Sequence, residues 1–221
     1  ADELFVRVGQ KMQPTAKARA LAGPVRAALS QAQNALHATD SFDPATASRV
    51  FRLGVTGEME MILLPVLLSH VQKNAPGLKL LSRQVTAETV DAMIAGGEVD
   101  LAIGCKRSEE QTENVAGCVG VALQAVGIDL DVVMAAPDFM PLLAAARNTP
   151  VIATVPCRIA SQYAPLFGLS CCPMPIDIDF PPVTMNWAVW SDKDVGLVWL
   201  RERIRTVIRL IDPAHEMEAA E

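Results

Sequence analysis

A threonine and a glycine stand where a predicted strand meets a predicted helix. Gly54 to Glu58 joins the apolar strand at residues 50–55 to a helical pattern, so free backbone N–H groups beside Thr56 and Gly57 could bind a carboxylate. The loop lacks the lysine and the glycine spacing of a phosphate loop. The alternative is that Thr56 is an ordinary helix cap. This junction is the first candidate binding site.

Three other places could complete such a site. Gly104 ends another predicted strand, where an open α/β sheet presents its ligand crevice and glycine lets a ligand approach the backbone. Asp138 and Phe139 begin a predicted helix, so Asp138 could bind a ligand or cap the helix, and Phe139 could line a pocket or pack in the core. Phe180 could close the same pocket or pack at a hinge. Gly104 could also be a plain turn glycine.

The sequence predicts neither an enzyme nor a metal site. It has no G-x-S-x-G or H-E-x-x-H motif and no dinucleotide fingerprint after a strand. Its three histidines are isolated in sequence, and no cysteine has an obvious histidine partner. Five scattered cysteines favour buried free thiols over a disulfide framework. We therefore expect no cofactor, but a small-molecule ligand. The cysteines are Cys105, Cys118, Cys157, Cys171 and Cys172.

Charge is unevenly distributed along the 221 residues. The net charge of −6 argues against a surface that coats nucleic acid throughout. In residues 1–26, however, basic side chains outnumber acidic ones, and Arg7 and Lys11 lie near the tip of a predicted hairpin around Gly9. These two side chains could contact DNA phosphates, or they could be solvated surface charges. The apolar runs are too short to cross a bilayer and no export signal is visible, so a cytoplasmic location is expected.

A long helix is predicted from Ala16 to about Thr39. Apolar residues recur at spacings of three and four and form one narrow stripe: Leu21, Val25, Leu29, Ala32 and Leu36. A narrow stripe on an Ala-rich helix suits a second copy of the same helix, which predicts dimerisation. The alternative is that the helix packs on its own domain.

After a linker at residues 41–44 the pattern alternates between strands and helices. Strands are predicted at residues 50–55, 78–84 and 99–104, and helices at residues 58–73 and 86–94, the latter capped by Thr86. Such an order predicts an α/β fold with a mostly parallel sheet. Further along, the predicted strands are 128–134, 151–155 and 184–190, and the predicted helices are 139–147, 159–167 and 194–211.

The segments Leu4–Arg7, Pro14–Thr15 and Leu21 resemble the end of the winged helix-turn-helix and the start of the linker helix in LysR-type transcription regulators. Ala18 stands where that family often has glycine. Phe51–Val55 is similar to the first strand of the family's sensor domain, and Gly96–Gly104 resembles the strand entry that is most specific to it.

The resemblance implies a DNA-binding regulator that is not an enzyme. It implies a remnant wing at residues 1–15, a linker and dimerisation helix at 16–44, and an effector-binding domain at 45–215. That domain would have a two-lobed, periplasmic-binding-protein-like (type 2) fold, with lobe I at about 50–105 and 180–212 and lobe II at about 106–179. Promoter DNA, a small-molecule effector and further copies in a homotetramer are the implied partners. The recognition helix of the family would precede Leu4, outside these residues.

Two further features follow from the same resemblance. Pro137–Phe139 and residues 151–156 look like the branch of the family that responds to aromatic acids, which implies an aromatic carboxylate bound between the lobes. Residues 105–118 are short and polar where the family has a strand, a loop and a helix, so several tens of residues are expected to be missing there. The competing interpretation of the whole chain is a solute-binding protein of periplasmic type without a regulatory role.

Overall fold

The structure is a computed structural model. It describes residues 3–37, 42–105, 117–174, 176, 178 and 182–211. The chain begins with an antiparallel hairpin, β1 (Phe5–Val8) and β2 (Lys11–Pro14), whose turn contains Gly9 at a φ of 63°. A positive φ is accessible to glycine without steric cost. The predicted hairpin is therefore confirmed.

A single helix, α1 (Ala16–His37), follows the hairpin. The Thr15 hydroxyl accepts a hydrogen bond of 3.2 Å from the Ala18 N–H, which is the arrangement of a helix amino cap. The helix continues through Pro24, although proline has no N–H to donate. The predicted long helix and its Thr15 start are confirmed as far as His37, and Thr39 lies outside the described residues.

Four strands form one sheet in the order β4-β3-β5-β6. They are β3 (Val50–Val55), β4 (Lys79–Gln84), β5 (Leu101–Cys105) and β6 (Val183–Trp187). The Lys79 N–H donates to Arg49 O and the Asp100 N–H to Arg52 O, both at 2.8 Å, so the beginnings of the first three strands lie side by side. This indicates that they run parallel, as predicted. β6 ends three residues early because the chain turns into a 3-10 helix at Val189–Ser191.

The remaining helices are short apart from the last. They are α2 (Gly57–Ile62), α3 (Leu64–Asn74), α4 (Val90–Ala95), α5 (Gly117–Ala125), α6 (Phe139–Asn148), α7 (Cys157–Tyr163) and α8 (Val195–Ile211), with a 3-10 turn at Ala164–Phe167 after α7. The prediction of one helix at 58–73 was wrong, because the helix breaks at Leu63 just before Pro65. Thr86 does not cap α4, since its N–H bonds the Thr89 hydroxyl and the helix starts later.

Two strand predictions were wrong. Residues 128–134 and 151–155 have no strand partner in the described part of the chain, and they remain outside the sheet. Their alternating or continuous apolar patterns favour extended backbone, but a strand also needs a neighbour that takes its hydrogen bonds. The local pattern could not reveal that the neighbour is missing.

The chain divides into two compact units. Unit 1 contains residues 1–54, 68–102 and 185–206, and unit 2 contains residues 55–67, 103–184 and 207–221. The boundaries of the predicted lobes differ from these units, and the lobes remain a prediction. Fully buried side chains in unit 1 include Phe51, Leu53, Leu101, Leu197 and Leu200, and those in unit 2 include Leu63, Ile103 and Ile159.

An ion pair holds the beginning of α8 in unit 1. Asp194 accepts two hydrogen bonds from the Arg49 guanidinium, at 2.7 and 2.8 Å, and a third from the Leu197 N–H at 2.9 Å. Burial raises the pKa of Asp194, but these hydrogen bonds outweigh burial and lower its pKa below the ordinary value. Phe42 packs on Trp199 beside this pair, with ring centroids 5.7 Å apart. The linker after α1 is thereby fixed to α8.

The prediction of buried thiols was wrong for the three cysteines that can be assessed. Cys157, Cys171 and Cys172 are free and exposed. The side chains of Cys105 and Cys118 lie outside the described part of the structure.

Candidate functional site

Thr56 and Gly104 lie against each other in unit 2. The Thr56 N–H donates to Ile103 O at 3.3 Å, which joins the end of β3 to the end of β5. A Cβ atom on Gly104 would lie 3.1 Å from the Thr56 hydroxyl oxygen and would overlap the Thr56 methyl group. Only glycine leaves room for the Thr56 side chain at the strand end. The packing therefore gives Gly104 a role that an ordinary turn glycine would not have.

A second hydroxyl group reaches the same place. The Thr184 hydroxyl, at the beginning of β6, donates to Gly104 O at 3.1 Å. Two threonine hydroxyls thus flank Gly104 in unit 2. Sequence reasoning missed Thr184, because in the mostly parallel sheet that it predicted the beginning of one strand would lie at the opposite edge from the end of another.

The carboxylate of Asp138 lies against the backbone of Gly57. A Cβ atom on Gly57 would be 2.9 Å from Asp138 Oδ1, so any larger residue at this position would displace the carboxylate. Asp138 precedes α6 and Thr56 precedes α2, yet neither side chain makes a capping hydrogen bond to its own helix. Plain capping therefore does not explain these two residues.

An ion pair that the sequence did not indicate lies next to this group. Arg158 in α7 donates to Glu58 Oε1 in α2 from Nε at 3.2 Å and from Nη2 at 2.9 Å. Both side chains are largely shielded from solvent, so the pair is screened less than a surface pair would be. It fixes α7 against the start of α2. The two residues are 100 positions apart, and no local pattern could have paired them.

Tyr163 makes the second link between α7 and α2. Its hydroxyl donates to Met61 O at 2.9 Å. Proline at position 65 cannot donate the N–H that a continuous helix would offer to that carbonyl. The tyrosine hydroxyl therefore satisfies a carbonyl that the helix break leaves open, and it stabilises the break between α2 and α3.

The other predicted site residues are placed as follows. Phe139 is the first residue of α6 and is half-buried. Phe180 lies outside the described residues. Arg7 and Lys11 are exposed on the hairpin of unit 1, where Arg7 Nε donates to Gly9 O at 3.2 Å. Of the six predicted effector residues, the structure brings together Thr56, Gly57, Gly104 and Asp138.

The described residues give no sign of two other kinds of site. No group of three or more His, Cys, Asp or Glu side chains among them could hold a metal ion. No helix in the described ranges is both long enough and apolar enough to span a bilayer.

One face of α1 is open to solvent. Leu21, Val25 and Leu29 are exposed, and so is Ala32, whereas the Leu36 side chain lies outside the described part. Another part of α1 contacts the 3-10 helix at Val189–Ser191. The helix therefore rests on unit 1, and the four described residues of its apolar stripe stay exposed.

Comparisons with known proteins give a consistent picture. No protein-family model matches the chain. The chain is 28% identical to the HTH-type transcriptional activator NahR of Pseudomonas putida, covering 91% of this chain and 81% of that protein. A solved structure titled "probable transcriptional regulator PA0477" from Pseudomonas aeruginosa matches with a TM-score of 0.72 at 25% identity, over 93% and 82% of the two chains. The regulatory domain of MexT, a transcriptional activator in Pseudomonas aeruginosa, matches with a TM-score of 0.66 at 26% identity, over 74% of this chain and 100% of that one.

The alignment with NahR also shows that this chain lacks some of the positions of that protein. The alignment spans 243 positions, whereas 91% of 221 residues is about 201, so about 40 positions of the relative have no counterpart here. That the missing residues lie between Cys105 and Cys118 stays a prediction.

The relatives and structural neighbours are transcription regulators, which supports the prediction that the chain is not an enzyme. Nothing among them supports the alternative of a solute-binding protein without a regulatory role. The similarity extends over more than nine tenths of this chain in both the NahR and the PA0477 comparison. These similarities indicate a LysR-type transcription regulator, as the resemblance in the sequence implies.

Proposed function

We propose that the chain controls transcription by binding a small aromatic carboxylate at the group formed by Thr56, Gly57, Gly104 and Asp138. LysR-type regulators bind DNA and small-molecule effectors and form oligomers. The observation that carries the proposal is the convergence of these four residues, none of which is fully buried in the core, at the ends of β3 and β5. The end of a parallel sheet is where α/β proteins bind ligands.

Each residue has a distinct role in this proposal. The hydroxyl of Thr56, which does not bond its own helix, donates to the effector carboxylate. Gly104 keeps space beside that hydroxyl. Asp138 accepts a hydrogen bond from a hydroxyl or amine substituent of the effector, because a carboxylate can only accept. Phe139 and Phe180 supply apolar walls against an aromatic ring.

The DNA-binding end is assigned to unit 1. Arg7 and Lys11 contact phosphates, which position a protein on DNA without distinguishing sequence. The open stripe of α1 pairs with α1 of a second copy, and two such pairs form a homotetramer. Because promoter DNA is its target, the regulator works in the cytoplasm.

The effector acts by favouring one arrangement of the linked copies over another. It can do so only if it binds the two arrangements with different affinity. A coupling of about 1–3 kcal/mol is usual between two such sites. The effector therefore needs only a modest difference in contacts to change the occupancy of a promoter severalfold.

Thermal unfolding with added ligand tests the proposal. Benzoate-type aromatic acids should raise the unfolding temperature of the chain, because a ligand that binds only the folded state stabilises it. Neutral analogues such as benzyl alcohol should stabilise less. Thr56→Val should abolish the effect, whereas Thr154→Val, which changes an exposed threonine of the same unit, should not.

The proposal fails in either of two ways. The first is that no aromatic acid stabilises the chain even at millimolar concentration while an unrelated ligand class does. The second is that Thr56→Val responds as the unchanged chain does, which would place the binding site elsewhere.

A further inference from the structure

Helix α1 contains a glycine and a proline side by side, Gly23 and Pro24, after about two of its turns. Pro24 has no N–H to donate to Ala20 O, and its ring crowds that carbonyl, so the helix is weakened at this point. Glycine adds conformational freedom to the same place. Outside the helix itself nothing in the described chain requires a glycine at position 23, since a Cβ atom there would meet no atom within 4 Å. The backbone of α1 is therefore least stiff at this pair.

The residues before the pair are joined to the hairpin. The Thr15 N–H donates to Leu4 O at 3.0 Å, and Arg19 Nη2 donates to Pro14 O at 3.3 Å. The first bond holds the start of the hairpin, and the second holds its last residue against the first turn of α1. The hairpin and residues 16–22 therefore move as one body.

The other end of α1 leads to a fixed point on unit 1. Phe42, in the linker after α1, packs on Trp199 of α8, with ring centroids 5.7 Å apart. Gly196 allows this approach, because a Cβ atom on it would lie only 3.2 Å from the Phe42 ring. The part of α1 after Pro24 thus leads to an anchored linker, whereas the part before it carries the hairpin.

Helix α1 contacts the body of unit 1 at the pair itself. A Cβ atom on Gly96 would lie 3.9 Å from Gly23 Cα, so the backbone of α1 approaches the end of α4 where neither residue has a side chain. Two packed helices keep a preferred angle because side chains of one fit between those of the other. Two glycines offer no such fit, so this contact supports α1 without fixing its direction.

We propose that Gly23–Pro24 is a hinge in α1, about which the hairpin and residues 16–22 change direction relative to the rest of unit 1. The consequence for DNA rests on the proposed function. Arg7 and Lys11 lie on the moving part, so the hinge adjusts where these two side chains meet the phosphates. A stiff helix would hold them at one position relative to the effector-binding region.

Distances between two spin labels test the hinge. An amino acid with a ketone group, which reacts with a nitroxide reagent, replaces Lys11 and Lys193, so the native cysteines stay unlabelled. Both positions are exposed, and Lys193 lies in the body of unit 1. An excess of unlabelled chain removes distances between two copies. The Lys11–Lys193 distances should be spread at least about twice as widely as those between Lys193 and the exposed Ala28, which lies after the hinge.

Removing the pair should remove the spread. Gly23→Ala combined with Pro24→Ala should narrow the Lys11–Lys193 distances to about the width of the Ala28–Lys193 pair, because the N–H donor of a regular helix is then restored. Pro76→Ala changes an exposed proline of unit 1 that lies after α3, and this matched control should leave the width unchanged. Circular dichroism should show at least as much helix in the double variant as in the unchanged chain.

Hydrogen exchange provides a second measurement. In a regular helix the amides of residues 25–27 bond the carbonyls of residues 21–23, so these bonds break when the hinge opens. In the unchanged chain these amides should exchange at least about tenfold faster than those of residues 32–34. In the double variant the two sets should exchange within about twofold of each other.

Two results would overturn the proposal. One is a Lys11–Lys193 distribution in the unchanged chain as narrow as that of the control pair, which would indicate a helix of fixed direction. The other is a broad distribution that persists in the double variant.

Addition of DNA separates the hinge from the proposed function. A duplex at low salt should narrow the Lys11–Lys193 distances of the unchanged chain, because contacts with phosphates hold the hairpin in place. If the distances stay broad with DNA but narrow in the double variant, the phosphate contacts are wrong and the hinge stands.

Discussion

The strand β3 and the segment of residues 128–134 are both short and rich in apolar residues, yet they have opposite environments. Phe51 and Leu53 of β3 are 0% exposed, whereas the apolar residues at 128–134 are all open to solvent. β3 lies between β4 and β5, and residues 128–134 have no strand neighbour in the described part of the chain. A pattern of apolar residues thus indicates which side chains could be buried, but a partner strand decides whether they are.

The largest expected effect is on the free energy of unfolding when one apolar side chain is truncated in each of the two regions. Phe51→Ala should lower the free energy of unfolding by about 3–5 kcal/mol, because it removes a fully buried side chain and leaves a cavity. Val132→Ala, in dilute monomer, should change it by less than about 0.5 kcal/mol, as for other surface substitutions. Urea unfolding monitored by circular dichroism measures both. Equal effects would mean that the segment is packed.

The next effect concerns the ion pair that anchors β3 to α8. Asp194→Asn should lower the free energy of unfolding by about 3 kcal/mol, because it leaves the charged and largely shielded Arg49 guanidinium opposite a neutral amide. Because the pKa of folded Asp194 is lowered, its contribution is fully present above the unfolded value of about 3.9 and disappears as the pH falls through the lower folded value.

The measurement is unfolding of both proteins between about pH 7 and pH 2, where acidification should reduce the difference between them. Lys193→Gln, next to Asp194 but exposed, is the control and should leave the pH dependence nearly unchanged. A difference that stays constant down to pH 2 would contradict the role assigned to the ionised carboxylate.

A smaller effect is expected at the candidate site. Gly104→Ala should destabilise the chain by about 1–3 kcal/mol, because the added methyl group overlaps the Thr56 side chain. Gly104→Ala combined with Thr56→Ser should recover part of the loss, since serine lacks the methyl group that is struck. Thermal unfolding checks both. No recovery in the double variant would place the strain somewhere other than at Thr56.

The smallest effect concerns the helix break before Pro65. Tyr163→Phe should cost about 1 kcal/mol, the usual contribution of one hydrogen bond, because Met61 O then has no donor. Pro65→Ala restores an N–H near that carbonyl, so the cost of removing the tyrosine hydroxyl should fall in the Pro65→Ala background. A double-mutant cycle measures the coupling. Additive changes would show that the hydroxyl and the proline are not linked.

The sequence predicted the features that rest on local chemistry. The hairpin at Gly9, the cap at Thr15 and the parallel strands followed from turn residues, capping residues and periodicity, and the structure confirms them. The contact of Thr56 with Gly104 was indicated only in outline, because strand ends were expected to meet. The family resemblance supplied what periodicity could not, namely regulation and an effector.

What the sequence missed depends on distant residues. Glu58 and Arg158 are brought together by the packing of α2 on α7, and Thr184 reaches Gly104 because β6 joins the sheet next to β5. The wrong strand predictions at 128–134 and 151–155 also depend on distant residues, because a strand needs a neighbouring strand that the local sequence does not specify. Their patterns were locally correct, and a neighbour that the pattern assumed is absent from the described chain.

The most direct test of the sensing site is a titration followed by backbone amide NMR. On addition of benzoate, the account predicts saturable shifts at Thr56, Gly57 and Gly104, and their loss in Thr56→Val. Shifts that instead centre on unit 1, or saturable shifts that survive in Thr56→Val, would contradict the assignment of the effector site to this group of residues.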